Sequence, residues 1–280
     1  MNDNLTPREI VQAMVDLGAE KAAHSIPDLL IRGMFAGALL AFATSLALDG
    51  ALQTNVPLVG ALIFPVGFAM IVILGLELLT GNFGLVPLAV FSRRATVGRM
   101  LTNWFWVFAG NLLGSLLFAG LFYVVLTDVG NASAGALGDH LRALAEAKTI
   151  AYEPYGYDGL ATAFVKAMLC NWMVCLGVVM GSSSKSVAAR IIGCWLPIFA
   201  FFALGFEHCV VNMFVIPMAI MLGAEISVAD WWYWNQIPVT LGNIVGGVLF
   251  TGLPLYWTYR PKGETSRPAP AARVSFDLAE

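Results

Sequence analysis

The sequence predicts an all-α membrane protein of six transmembrane helices, with the second and fifth broken and the chain built as two halves of three. Three observations carry this. Hydrophobic residues fill 59 % of the 280 positions and charged residues 12 %, with a mean hydropathy of +0.77, whereas a soluble domain carries about 25 % charge. Six apolar stretches reach the length of about 20 residues that crosses a bilayer. Two of them, residues 75–87 (GLELLTGNFGLVP) and 205–217 (GFEHCVVNMFVIP), align without a gap. They share Gly75 with Gly205, Glu77 with Glu207, Asn82 with Asn212 and Pro87 with Pro217.

Residues 1–28 read as a cytoplasmic N-terminal amphipathic helix. Thr6-Pro7-Arg8-Glu9 is a capping box with proline at the first helical position. Ile10, Val11, Met14, Leu17 and Ala22 follow at roughly helical spacing, as for a helix on the membrane surface or on a neighbouring subunit; a solvated lead-in is the alternative. The start lacks the pattern of a cleaved signal peptide, so the first span is expected to direct insertion. A pore domain, residues 29–259, holds spans near 29–48, 57–91, 101–127, 159–181, 190–222 and 235–259, and residues 260–280 form a cytoplasmic tail. The second and fifth spans run to 35 and 33 residues, too long for one straight helix. Each reads as half-helix, loop, half-helix, which a membrane tolerates only where the bare backbone is buried in protein or lines a cavity.

The repeat continues in residues 103–118 and 235–250, which share Asn103/Asn235, Gly110/Gly242, Asn111/Asn243 and Gly114/Gly246. Three spans is an odd number, so the second half must be inverted relative to the first. The glycines at four-residue spacing let spans pack closely. Arg93, Arg94, Arg99, Lys185, Arg190, Arg260, Lys262, Arg267 and Arg273 gather on one side of the spans, which places both termini in the cytoplasm. The protein is thus expected in the cytoplasmic membrane as a multi-pass protein. Its net charge of −3 and scattered cations suggest no nucleic-acid partner, and Cys170, Cys175, Cys194 and Cys209 lie in apolar spans as packing residues without metal spacing.

Span-building does not explain Glu207, His208 and Asn212 inside an apolar stretch. Intramembrane ionisable groups are costly and mark ion or proton paths, and broken helices in corresponding places point to a transport site. A half-helix N-terminus suits a small anion, and His208, with an ordinary pKa near 6.5, could share a proton with a weak-acid anion; a hydrogen-bonded core histidine is the bland reading. Glu77 and Glu207 read chiefly as break scaffold accepting from the loop N–H groups, with substrate contact by Glu207 as the alternative. Asn82 and Asn212 read as amides that satisfy freed backbone groups. Thr80 is expected to face His208, and Asn171 either to bond His208 and fix its ring or to pack helices. Phe64, Phe68, Leu79 and Phe201 could pinch a pore or pack a core. Lys148 could attract anions to the outer entrance, while Lys166 snorkels at the end of the fourth span.

The motifs ELLTGN (77–82), CNWMVCL (170–176) and GFEHCVVNM (205–213) together resemble the formate/nitrite transporter family over about residues 5–258. The resemblance implies an aquaporin-like fold, a homopentamer with one pore per protomer, and passage of formate, nitrite, hydrosulfide, acetate or lactate. On that resemblance His208 matches the central pore histidine, Thr80 the threonine facing it and Asn171 the asparagine paired with it. Phe64, Phe68, Leu79 and Phe201 fall on constriction positions and Lys148 on a vestibule lysine. Around residues 152–157 this chain has extra residues before Asn171; Cys209 stands where serine is common, and Leu76 and Leu79 depart from the usual small and aromatic choices.

The expectation is therefore a membrane transporter without cofactor or metal, not an enzyme, carrying formate or next nitrite through the bilayer, with a proton in company. A neutral-solute channel of the aquaporin type would carry Asn-Pro-Ala at both breaks, and neither break has it. A membrane-embedded enzyme would need a metal set that His24, His140 and His208 are too scattered to supply.

Overall fold

Two glycines set the architecture. The second predicted span begins with Pro57, and its first half runs as α3 (Pro57–Ile63) and α4 (Pro65–Ile73), separated by Phe64. Gly75 then takes a left-handed conformation (φ 65°) and Leu76 N returns to the Ile71 carbonyl at 3.0 Å, a helix stop that favours glycine. The chain restarts as α5 (Leu79–Phe91). The fifth span does the same: α9 (Val187–Ala203) stops at Gly205 (φ 64°), Phe206 N returns to Phe201 O at 3.2 Å, and α10 (Cys209–Met221) begins.

The computed structural model describes residues 4–260, which are helical almost throughout. Of the predicted C-terminal tail only Arg260 falls among them; Lys262, Arg267 and Arg273 lie outside the described residues. Four helices are long and apolar enough to cross a membrane: α2 (Ile26–Thr54), α6 (Val97–Thr127), α8 (Tyr157–Gly181) and α11 (Val228–Tyr259). With the two broken pairs they account for all six expected spans. α11 contains π-helical turns at Trp231–Gln236 and Val248–Gly252. The long connection before the fourth span is itself structured, as α7 (Gly135–Lys148) and a 3-10 helix (Ile150–Tyr155).

Burial sorts these elements. Every residue from Leu79 to Ala89 of α5 and from Cys209 to Ala219 of α10 is buried, while α6 leaves Leu113, Leu117, Leu121 and Val125 at least half exposed. The short half-helices are the centre and the long helices wrap them. Close packing of the wrap rests on the paired glycines: a Cβ added to Gly114 would lie 1.9 Å from the Met34 carbonyl oxygen of α2, and one added to Gly246 2.3 Å from that of Met168 in α8.

The N-terminal helix α1 (Pro7–Ala23) has the predicted capping box, with Thr6 N and Oγ1 donating to the Glu9 carboxylate at 2.8 and 2.7 Å. Those bonds hold the Glu9 carboxyl below the usual carboxylate range. The apolar face of α1 packs on the protomer's own α5, burying Val11, Met14, Val15, Gly18, Lys21 and Ala22. Arg94 pairs with Asp16, and a single bridge joins Asn4 to Ser184.

Candidate functional site

Each break is held by a carboxylate, a lysine and three asparagines in the same arrangement. Glu77 accepts from Lys21 Nζ (2.8 Å) and Asn82 Nδ2 (2.6 Å); Asn82 Nδ2 also reaches Asn103 Oδ1 (2.9 Å), whose own amide donates to the Lys21 carbonyl (2.9 Å). Glu207 accepts from Lys148 Nζ (2.9 Å) and Asn212 Nδ2 (2.8 Å); Asn212 Nδ2 reaches Asn235 Oδ1 (2.8 Å), and the Asn235 Nδ2 donates to the Lys148 carbonyl (2.7 Å). Both carboxylates are buried, and a buried charge is tolerated when paired and hydrogen-bonded.

This corrects two expectations. The glutamates accept from side chains, not from the loop N–H groups, and Asn82 and Asn212 bridge side chains rather than backbone. The backbone duty falls to Asn111 and Asn243. Asn111 Oδ1 accepts the first N–H of α5, from Leu79, at 3.0 Å, and its amide donates to Glu77 O and Gly33 O at 2.8 and 2.9 Å. Asn243 repeats this with Cys209 N (2.9 Å), Glu207 O (3.0 Å) and Ala167 O (2.8 Å). The two residues stood out in the sequence only as repeat matches, although a fully buried asparagine in an apolar span was itself a signal.

The halves differ at their tips. His208 is the N-cap of α10: its Nδ1 accepts from Val210 N and Val211 N, both at 3.2 Å, while Nε2 lies 3.1 Å from Thr80 Oγ1 of α5. An Nδ1 that accepts cannot carry a proton, so this network assigns the neutral tautomer with its hydrogen on Nε2. The expected Thr80–His208 pairing is present. The expected Asn171–His208 bond is not: Asn171 donates to the Thr80 and Asn243 carbonyls at 3.1 and 2.6 Å, and its Oδ1 has no protein partner. Asn171 thus steadies the turn that carries Thr80.

Two cavities lie against the broken helices. On the α1 side, about 500 Å3 is lined by Lys21, His24, Arg32 and Arg190 against Glu20 and Glu77, and it ends at Phe68, Leu78 and Gly81. On the α7 side, about 740 Å3 is lined mostly by apolar residues, with His140 at its wall and Phe202 and Ala203 at the break. Neither reaches His208, which is 2 % exposed, or Thr80, which is fully buried. Sequence reasoning expected the imidazole to be open to a passing ion; here it is sealed. Phe201 stacks on its ring at 5.7 Å, and Phe64 meets Phe201 edge-on at 5.7 Å while stacking on Phe202 at 4.0 Å. Phe68, Leu79 and Phe201 are buried with it.

The expected vestibule lysine is placed differently as well. Lys148 is spent on Glu207 and is not among the residues lining the α7-side cavity. Tyr152, from the extra residues before the fourth span, donates its hydroxyl to Glu207 at 2.9 Å and accepts from Lys166 at 3.2 Å. Among the described residues no group of three or more metal-binding side chains forms.

Apolar helices around two broken ones, with a buried and paired carboxylate at each break, define an integral membrane transport protein. Comparison with known proteins specifies which. The formate/nitrite transporter family pattern matches residues 8–257, and the chain belongs to that family. It is 36 % identical to a probable formate transporter of Methanothermobacter thermautotrophicus, covering 91 % of this chain and 97 % of the relative. An uncharacterized transporter of Bacillus subtilis, YrhG, is 35 % identical over 93 % of this chain and 96 % of its own. Among solved structures, a pentameric formate channel with formate bound superposes with a TM-score of 0.68 at 28 % identity, over 84 % of this chain and 97 % of that one.

Proposed function

We propose that the protein carries a small monovalent weak-acid anion across the cytoplasmic membrane, formate foremost and nitrite next, as a homopentamer with a pore through each protomer. Hydrosulfide, acetate and lactate are alternatives of the same kind. The observation that carries this is the meeting of the two broken helices at Thr80 and His208, 3.1 Å apart. The substrate and the assembly are supported by the relative described as a probable formate transporter and by the pentameric formate channel.

Positive charge on the loops supports placing the α1-side cavity, with both termini, at the cytoplasm and inverting one half relative to the other. An anion gathers against Lys21, Arg32 and Arg190. Between it and the centre stand Phe68, Leu79 and Phe201, where a bare carboxylate is heavily penalised and the neutral acid is not. The anion therefore takes its proton before the seal. His208 is a poor source, because a cationic ring would lose both Nδ1 contacts to the α10 backbone; hydronium of the surrounding solution supplies the proton, leaving water. At the centre the Nε2–H of His208 and the Thr80 hydroxyl donate to the acid's oxygens once Phe201 swings aside. Glu207 and Lys148 hold the break and do not touch the passenger.

A panel of small anions in proteoliposomes at two pH values, with flux and current recorded together, tests this. Formate uptake without current, faster at the lower pH, is expected. Formate current that tracks uptake would exclude passage as the neutral acid, and uptake of glycerol but not formate would exclude the anion reading altogether.

A further inference from the structure

The corner between α5 and α6 folds three arginines onto one recess, away from the pore. α5 ends in Arg93, which takes a left-handed conformation (φ 57°), and the N–H groups of Arg94 and Ala95 both return to the Ala89 carbonyl, at 2.8 and 3.1 Å. Thr96 then caps α6 through Arg99 N at 3.2 Å. This hook sets Arg93, Arg94 and Arg99 around a cavity of about 180 Å3 whose other wall is Ala19, Ala22 and Ala23 of α1. Methyl groups on that wall leave the space open. Arg94 is tied to Asp16, whereas Arg93 and Arg99 have no acidic partner among the described residues. Three arginines against the one carboxylate tied to Arg94 leave the recess positive, and the planar fork of arginine matches the oxygens of a phosphate group.

A second feature indicates where that phosphate comes from. Phe91, Val97, Leu101 and Phe105 are 45 %, 54 %, 53 % and 64 % exposed, and the last three share one face of α6 by their four-residue spacing. An apolar strip therefore leads from the recess along the helix, the path an acyl chain would follow. We propose that this recess is a phosphate-group site, filled in the membrane by the headgroup of an anionic phospholipid whose chain lies on α6. It holds α1 and α5 together at their shared corner and takes no part in moving the anion.

Native mass spectrometry of the full-length protein tests it, with phosphatidylglycerol, phosphatidylcholine or inorganic phosphate added in turn to wild type and to R93Q/R99Q. Wild type should retain phosphatidylglycerol over phosphatidylcholine, and R93Q/R99Q should lose about thirtyfold in that affinity, from the gain each basic residue makes near anionic lipid. Displacement of the lipid by inorganic phosphate would keep the phosphate-group assignment and move its source to solution. Equal retention of phosphatidylglycerol by wild type and R93Q/R99Q would overturn it. R93K/R99K keeps the charge but not the planar fork and should fall between wild type and R93Q/R99Q; retention below that of R93Q/R99Q would mean a damaged loop and would also overturn the site.

Discussion

Replacing Asn111 with leucine removes a side chain of similar length that holds both ends of the first break, and the cost can be worked from its three partners. Gly33 O lies within α2 and keeps its intrahelical bond, so it loses only a second donor. Leu79 N and Glu77 O have no other partner of this kind: one is the first N–H of α5 and the other a carbonyl in the break itself. Two buried backbone groups left unsatisfied at about 1–3 kcal/mol each put Asn111→Leu at about 2–6 kcal/mol. At the roughly 0.6 kcal/mol average of lipid-embedded hydrogen bonds the same two bonds still cost about 1 kcal/mol. Equilibrium unfolding in mixed detergent micelles, followed by exposure of the four buried cysteines, reads this directly. Asn243→Leu should cost a similar amount because its partners are the same atoms in the other half. A loss below about 0.5 kcal/mol in both variants would refute the assignment of these amides as the clamps of the breaks.

Other consequences follow from the same geometry. Gly246→Ala should destabilise by at least about 1–3 kcal/mol through overpacking against Met168, while Gly120→Ala, with nothing within 4 Å of the new methyl, should be neutral or gain up to about 1 kcal/mol; thermal unfolding separates the two. Lys148→Met leaves Glu207 buried without its ion-pair partner and should cost up to about 3–5 kcal/mol, reduced by the 12 % exposure of the lysine. The double variant Lys148→Met/Glu207→Gln should recover part of that loss in the same assay. Phe201→Ala should raise formate flux and admit larger acids; flux equal to wild type with unchanged selectivity would remove Phe201 from the seal. Arg32→Gln with Arg190→Gln should weaken the ionic-strength dependence of uptake from the α1 side, because screening acts on the charges it removes.

The frame of the protein was open to reading because its signals are local and repeated. Span length, the paired Gly75 and Gly205, and the Asn-to-Gly patterns of the third and sixth spans each specify backbone behaviour within a few residues, and the six spans and both breaks follow from them. Contacts between distant elements were less accessible. Periodicity along residues 7–23 gives α1 an apolar face but not its destination on α5, and nothing local announces that Lys21 and Lys148 occupy equivalent places. Tyr152 was hidden by the extra residues that carry it, and Asn171 was drawn toward His208 when the nearer acceptor was a backbone carbonyl. The sealed state of His208 depends on the rotamers of Phe64 and Phe201, which no sequence pattern encodes.

The passage of formate between Thr80 and His208 is tested most directly by uptake into proteoliposomes bearing His208→Phe, whose ring fills the same space without a donor. With oligomer and stability intact, uptake should fall at least about tenfold, the worth of one buried hydrogen bond of about 1.4 kcal/mol, while the residual flux still rises as pH falls. Uptake within about twofold of wild type across that pH range, less than a single such bond is worth, would contradict a route past the histidine.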